Sequence, residues 1–314
     1  MLDKQCSIVL KQCMALKKSE SCLVVTDKKL LKIGKSLLSN ALKISKNSKL
    51  ILTEIPKNHG TEPPKRIADE MLNYDVILCP TSKSLTHTRA ATKARKKGAR
   101  IATMPGITID MMKRTLNVNF RKIRALNNRL ISKLRNKNKI VITTNKGTKL
   151  VFYARGRKWV SDDGIYSKKH SLGNLPAGEI FIAPNENRTN GVLVADASIG
   201  SLGKIKKDIR IEIKDGFLTK ISGSKLAEEF EESLKEKMYR NVAELGIGTN
   251  CKARITGNVL EDEKVYGTFH VAFGNSKHFG GKIDVPFHVD FVIKKPTIWA
   301  DDELIMKDDK TIYL

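Results

Sequence analysis

The stretch SCLVVTDKKLLKIGKSLLSNALKISKNSKLILTEI, residues 21–55, joins two short apolar segments through an amphipathic interval. SCLVVTD (21–27) and KLILTEI (49–55) have the length and apolar content of strands. Between them, KKLLKIGKSLLSNALKI (28–44) repeats its apolar residues at helical spacing, giving one face to bury. The alternation continues along the chain. PPKRIADEMLNY (63–74), opened by proline, predicts a helix, and VILCPTS (76–82) a third strand. Thr86 to Lys97 predicts a third helix that stops before Gly98, and ARIATMP (99–105) a fourth strand. Strands separated by helices need crossover connections, so the pattern implies a Rossmann-like, mostly parallel α/β domain. No glycine-rich phosphate loop follows any of these strands, and a nucleotide cofactor is not expected. His87, close to Ser84 and Thr86 near a helix start, reads as structural.

Residues 107 to about 137 read as one long basic helical linker, after which the periodicity changes. KIVITTN and TKLVFYARG around Gly147 predict a hairpin. GEIFIAP, GVLVADASIG, DIRIEIKDG and FLTKISG are further strand candidates. KLAEEFEESLKEKM (225–238) predicts a helix whose early acids and late lysines complement its dipole. The expected organisation is an N-terminal α/β domain over 1–137 and a β-rich α+β metal-binding domain over 138–314.

The 314 residues carry a net charge of +25, with 40% hydrophobic and 29% charged residues, the balance of a globular protein. The charge is lopsided: 33 of the 58 basic residues but only 9 of the 33 acidic ones fall within residues 1–150. That half reads as a nucleic-acid or acidic-surface binder, or as a lysine-rich solvated surface. No interleaving of aromatic and basic residues favours base stacking, so nucleic-acid binding is not the expected function. No apolar run is long enough for a membrane helix. Lys11 interrupts the apolar N-terminal residues and no small-residue cleavage site follows, so no signal peptide is expected. Five scattered cysteines without a CxxC pair imply free thiols in a reducing compartment, the cytoplasm, and no cysteine zinc site.

Four segments of the second half place metal-ligand residues within apolar runs: Glu179 in LPAGEIFIAP, Glu244 in the glycine-rich turn NVAELGIGTN, His270 in EDEKVYGTFHVAFG, and His288 with Asp290 in PFHVDF. In a strand, His288 and Asp290 point to the same face about 7 Å apart, while Phe287, Val289 and Phe291 face the other way. Alone, the pair reads equally as a hydrogen-bonded patch or as part of a metal site. The acids Glu261, Asp262 and Glu263 read as a solvated turn. Taken together, two imidazoles and three carboxylates supply nitrogen and oxygen donors for one or two divalent ions such as zinc, cobalt, manganese or iron(II).

The order GEIFIAP, AELGIG, HVAFG, HVDF resembles the aminopeptidase T/aminopeptidase S metallopeptidases over about residues 175–314, and SLTHTRAATKARKKGARIATMPGIT resembles their short archaeal-type members. That resemblance implies Glu179, Glu244, His270, His288 and Asp290 as ligands of zinc, cobalt or manganese. It implies a hydrolase that removes N-terminal amino acids from peptides with metal-activated water, with Glu244 or Glu263 as general base. Lys277 stands where the family carries a tyrosine, with His278 beside it as a possible replacement ligand. By analogy with longer relatives, a homodimer is expected. Two other readings stand beside this one. The same superfamily includes ring-opening dioxygenases that act on dihydroxypyridines with a single iron(II). A non-catalytic protein that binds through its basic half is the third.

Overall fold

The computed structural model describes residues 2–312; the side chain of His278 lies outside the described residues. The chain divides into two compact units, Met1–Arg121 with Gly164–Ala177, and Lys122–Asp163 with Gly178–Leu314. No helix among the described residues is long and apolar enough to cross a membrane.

Among the described residues, the first unit carries a five-stranded sheet. Its order is Ser48–Leu52, Cys22–Thr26, Val76–Cys79, Arg100–Thr103 and Leu172–Asn174, and every neighbouring pair is parallel. Helices Leu31–Leu42, Lys65–Met71 and Arg89–Lys97 make the expected crossovers. Three of the strands are buried throughout, and two of them, CLVVT and VILC, accordingly read as near-continuous apolar runs rather than alternating ones. Thr88 starts the helix Arg89–Lys97 by accepting the Ala91 N–H, and Gly98 ends it at φ +118. The fifth strand, LGN, is too short and polar to be seen in sequence; the chain supplies it after a long excursion through the second unit.

The single helix expected over 107–137 is instead two, Ile109–Thr115 and Phe120–Leu134. Thr108 Oγ1 caps the first through the Met111 N–H, and Asn119 Oδ1 accepts the Arg121 N–H at the start of the second. Two side chains that compete for backbone donors break what the charge pattern made look continuous.

The second unit packs two antiparallel sheets through one core. Among the described residues, one sheet has eight strands and includes the expected hairpin Lys139–Thr143 and Lys149–Tyr153. The other has seven, in the order Gly203–Lys204, Ser198–Ile199, His288–Lys294, Thr268–Gly274, Val242–Gly248, Glu179–Ile182, Val160–Asp162. Ile142, Phe152, Leu193 and Ile211 from the first sheet share a cluster with Ile180, Leu245, Val271, Phe273 and Phe291 from the second. The helix expected over 225–238 stops at Ser233, and a short 3-10 turn, Lys237–Arg240, follows. That helix inserts Phe230, whose ring meets Phe291 edge-on at 4.7 Å and Phe273 at 6.2 Å.

Phe291 is fully buried and lies one residue from Asp290 on the opposite face of its strand. Replacing it with alanine leaves a cavity and is expected to cost about 3–5 kcal/mol. Urea unfolding of Phe291→Ala measures this; a loss below about 1 kcal/mol would contradict the placement of this ring at the centre of the core.

Candidate metal centre

Strand register decides which side chains meet. In the seven-stranded sheet, Ala272 lies opposite Asp290 on one side and Glu244 on the other. His270 lies opposite Val292 and Gly246, Gly274 opposite His288, and Gly248 opposite Glu179. Directly opposed residues of antiparallel strands point the same way. Glu179, Glu244, His270, His288 and Asp290 therefore share one face, while Ile180, Leu245, Val271 and Phe291 turn to the core. Glu244 sits in a strand, not in the turn its glycines suggested. A β-bulge between Val242 and Glu244 puts it on the polar face. Without that extra residue, Glu244 would pair with Val271 and point into the core.

Small residues leave the middle of this face open. A Cβ at Gly246 would lie 2.0 Å from His270 Nε2, so the imidazole lies across the place where a side chain would stand. His270 Nε2 is 3.4 Å from Glu244 Oε1 and 3.5 Å from Glu179 Oε2. His288 Nε2 is 3.4 Å from Glu244 Oε2 and 3.5 Å from Asp290 Oδ1. On the far side of the ring, His288 Nδ1 is 2.9 Å from the Asn275 carbonyl, which makes Nδ1 the donor and leaves Nε2 to face the carboxylates. Donor atoms of Glu244, His270 and Asp290 all lie within 4.8 Å of one another. The structure thus brings together the five residues singled out as ligands.

Glu263 and Lys264 adjoin this group. Lys264 is almost wholly buried, with Nζ 2.6 Å from Glu179 Oε1, 2.5 Å from Glu263 Oε1 and 3.8 Å from Asp162 Oδ2. Burial opposes its charge, but Glu179, Glu263 and Asp162 outweigh that and hold the ammonium protonated well above the usual range. Burial pushes Glu179 up to about 8 even though Lys264 pulls the other way, and it raises Glu263 likewise. Burial also works against ionised Glu244, yet hydrogen bonds from both imidazoles win and bring it down to about 2. Burial lowers His270, but the Glu244 hydrogen bond and the Glu179 charge lift it to about 9; His288 is raised well above its usual value by Asp290 and Glu244.

This donor set fits a divalent cation. Glu179 Oε2 is buried without a hydrogen-bond partner and faces His270 Nε2, an arrangement that a bound ion would satisfy. Imidazole and carboxylate donors without a thiolate exclude a structural cysteine site. Sequence reasoning missed Lys264 and Gly246. A lysine after three acids reads as surface charge, and the glycine's role shows only once its cross-strand partner is known. The expected solvated turn at 261–263 is corrected too. Glu261 and Asp262 are buried because they accept backbone N–H groups: Glu261 from Arg254, Asp262 from Thr256 and Gly257. Lys277 is exposed and pairs with Asp284 at 2.5 Å.

Two outcomes follow from this geometry. In the metal-free protein both imidazoles are held protonated, so an incoming ion must displace their protons. Affinity should rise with pH through and beyond neutrality, and uptake near pH 7 should release at least the two imidazole protons per ion. Calorimetry in buffers of different ionisation enthalpy measures that number, and pH-independent uptake would contradict it. Gly246→Ala should displace the His270 ring and weaken metal affinity by more than the ~10–100-fold typical of outer-shell changes, measured by competition with a chelator. Unchanged affinity would remove His270 from the centre.

The sequence model of the NicX family, described as 2,5-dihydroxypyridine 5,6-dioxygenase, matches residues 30–312. No curated protein sequence matches the chain. Among solved structures, a 2,5-dihydroxypyridine dioxygenase from Pseudomonas putida KT2440 superposes with a TM-score of 0.84 at 20% identity, covering 100% of this chain and 97% of that one. Wild-type AmpT from Thermus thermophilus superposes with a TM-score of 0.76 at 15% identity, covering 99% and 98%. At such identities these likenesses establish the fold: a parallel α/β unit with large antiparallel sheets, as expected. The family match overturns the expected activity. The reading as a hydrolase, a metalloaminopeptidase cleaving peptides, is corrected to an oxygenase family, because the match to a dioxygenase family spans most of the chain. Imidazole and carboxylate donors suit divalent ions in either chemistry and so could not separate the two. By its match over residues 30–312, the chain belongs to the NicX family of 2,5-dihydroxypyridine 5,6-dioxygenases.

Proposed function

We propose that this protein is a mononuclear iron(II) dioxygenase that opens an electron-rich dihydroxylated pyridine ring. The observation that carries this reading is the family match across residues 30–312. The donor chemistry agrees with it. Two imidazoles and a carboxylate are the facial set typical of non-haem iron(II) oxygenases, and His270, His288 and Asp290 provide it, with Glu244 between the two rings. Bound iron(II) supplies the one-electron chemistry that lets ground-state dioxygen react with a closed-shell ring.

The chain's own residues hold and shape the site. Asn275 fixes the His288 tautomer, and the bulge beside Glu244 fixes its carboxylate. Phe181, two residues from Glu179 on the same strand face, meets Phe279 edge-on at 5.6 Å, and Phe279 meets the His288 ring at 5.8 Å. These rings give the centre an apolar border on which a flat heteroaromatic ring can stack.

Protein reconstituted anaerobically with iron(II) should consume dioxygen and 2,5-dihydroxypyridine in equal amounts at an oxygen electrode. His288→Ala and Asp290→Ala should each lower metal affinity by more than the ~10–100-fold of outer-shell changes, and activity with it. Iron-loaded protein that takes up no oxygen with any dihydroxypyridine would refute the reading.

A further inference from the structure

We propose that the Lys264 ammonium is a built-in second cation, which restricts this centre to one exchangeable metal ion. The inference rests on the metal-centre reading above. Glu179 is the residue that shows it. Its Oε1 is 2.6 Å from Lys264 Nζ, and its Oε2 faces His270 Nε2 at 3.5 Å with no hydrogen bond of its own. A carboxylate with one oxygen towards each of two cationic positions is placed as a bridge. Two-metal hydrolases hold their ions ~3.5–4 Å apart across such a bridge. Here one of those positions is filled by an amine.

The amine is fixed there by backbone contacts on both sides. The Lys264 N–H donates to the Glu261 carbonyl at 2.9 Å, and the Lys264 carbonyl accepts the Asn250 N–H at 2.8 Å. A Cβ at Gly248 would lie 2.0 Å from the Val265 carbonyl, so only glycine lets this segment approach the strand that carries Glu244. Glu263 at 2.5 Å and Asp162 at 3.8 Å complete the ring of oxygens. A buried lysine without partners would be costly; one among three carboxylates is retained, and the carboxylates in turn need it. An ammonium on a fixed stem has no open coordination position and cannot exchange. The centre is left with one replaceable ion, at Glu244, His270, His288 and Asp290, with Glu179 Oε2 turned towards it. The paired ions that clamp both oxygens of a hydrolytic displacement are absent from such an arrangement.

The test loads purified protein with manganese(II) and reads metal per chain by elemental analysis, with anomalous scattering from crystals to locate each ion. Wild type should bind one ion, at the two histidines, and Lys264→Arg should also bind one. Lys264→Met should rise from one ion to two, the second lying between Glu179 and Glu263. A folded Lys264→Met that still binds one ion would overturn the inference and leave the metal centre standing. Wild type that binds no ion would sink the metal-centre reading itself. Should Lys264→Met not fold, crystals of wild type soaked in millimolar manganese decide. A single anomalous peak supports the ammonium as second cation, and a second peak beside Glu179 refutes it.

Discussion

The cross-strand register around Ala272 is the constraint on which the site depends. One alanine lies opposite Glu244 on one neighbouring strand and Asp290 on the other, and it has no side chain long enough to part them. Two residues along, His270 lies over Gly246. A slip of one residue in either pairing would turn a ligand into the core and an aliphatic side chain into the site. The bulge before Glu244 is the device that sets the register, and the aromatic packing of Phe230, Phe273 and Phe291 on the other face holds it.

Placing so many ionisable groups under low exposure creates the second constraint. Buried carboxylates need positive charge close by, and the structure supplies it in two ways. Lys264 balances Glu179, Glu263 and Asp162 permanently. His270 and His288 balance Glu244 and Asp290 only while they carry protons, and those protons can be exchanged for a metal ion. The centre is thus divided into a fixed cationic part and an exchangeable one. In our proposal that division leaves the centre one exchangeable ion in place of a bridged pair.

Much of the fold was legible in the sequence because the signals are local. The strand–helix alternation of residues 21–105 follows from apolar spacing, and the shared face of His288 and Asp290 follows from the two-residue period of a strand. The features that the sequence hid depend on pairing between distant segments. The parallel strand Leu172–Asn174 has no apolar run of its own, and the bulge at Glu244 exists only relative to the strand opposite. Lys264 went unread because a lone lysine shows nothing of three carboxylates drawn from residues 162, 179 and 263. The activity was misread for a related reason. A set of glutamates, histidines and an aspartate points to a divalent ion, but water and dioxygen are both activated by such ions. The match of residues 30–312 to a dioxygenase family decided what the motif could not.

We propose that this centre puts dioxygen, not water, into its substrate. The most direct measurement is a single turnover of iron-loaded protein with 2,5-dihydroxypyridine under ¹⁸O₂, with mass analysis of the product before exchange with solvent. The expected product is ring-opened and carries both labelled atoms. A product whose new oxygen comes from solvent, or a ring left closed, would contradict it.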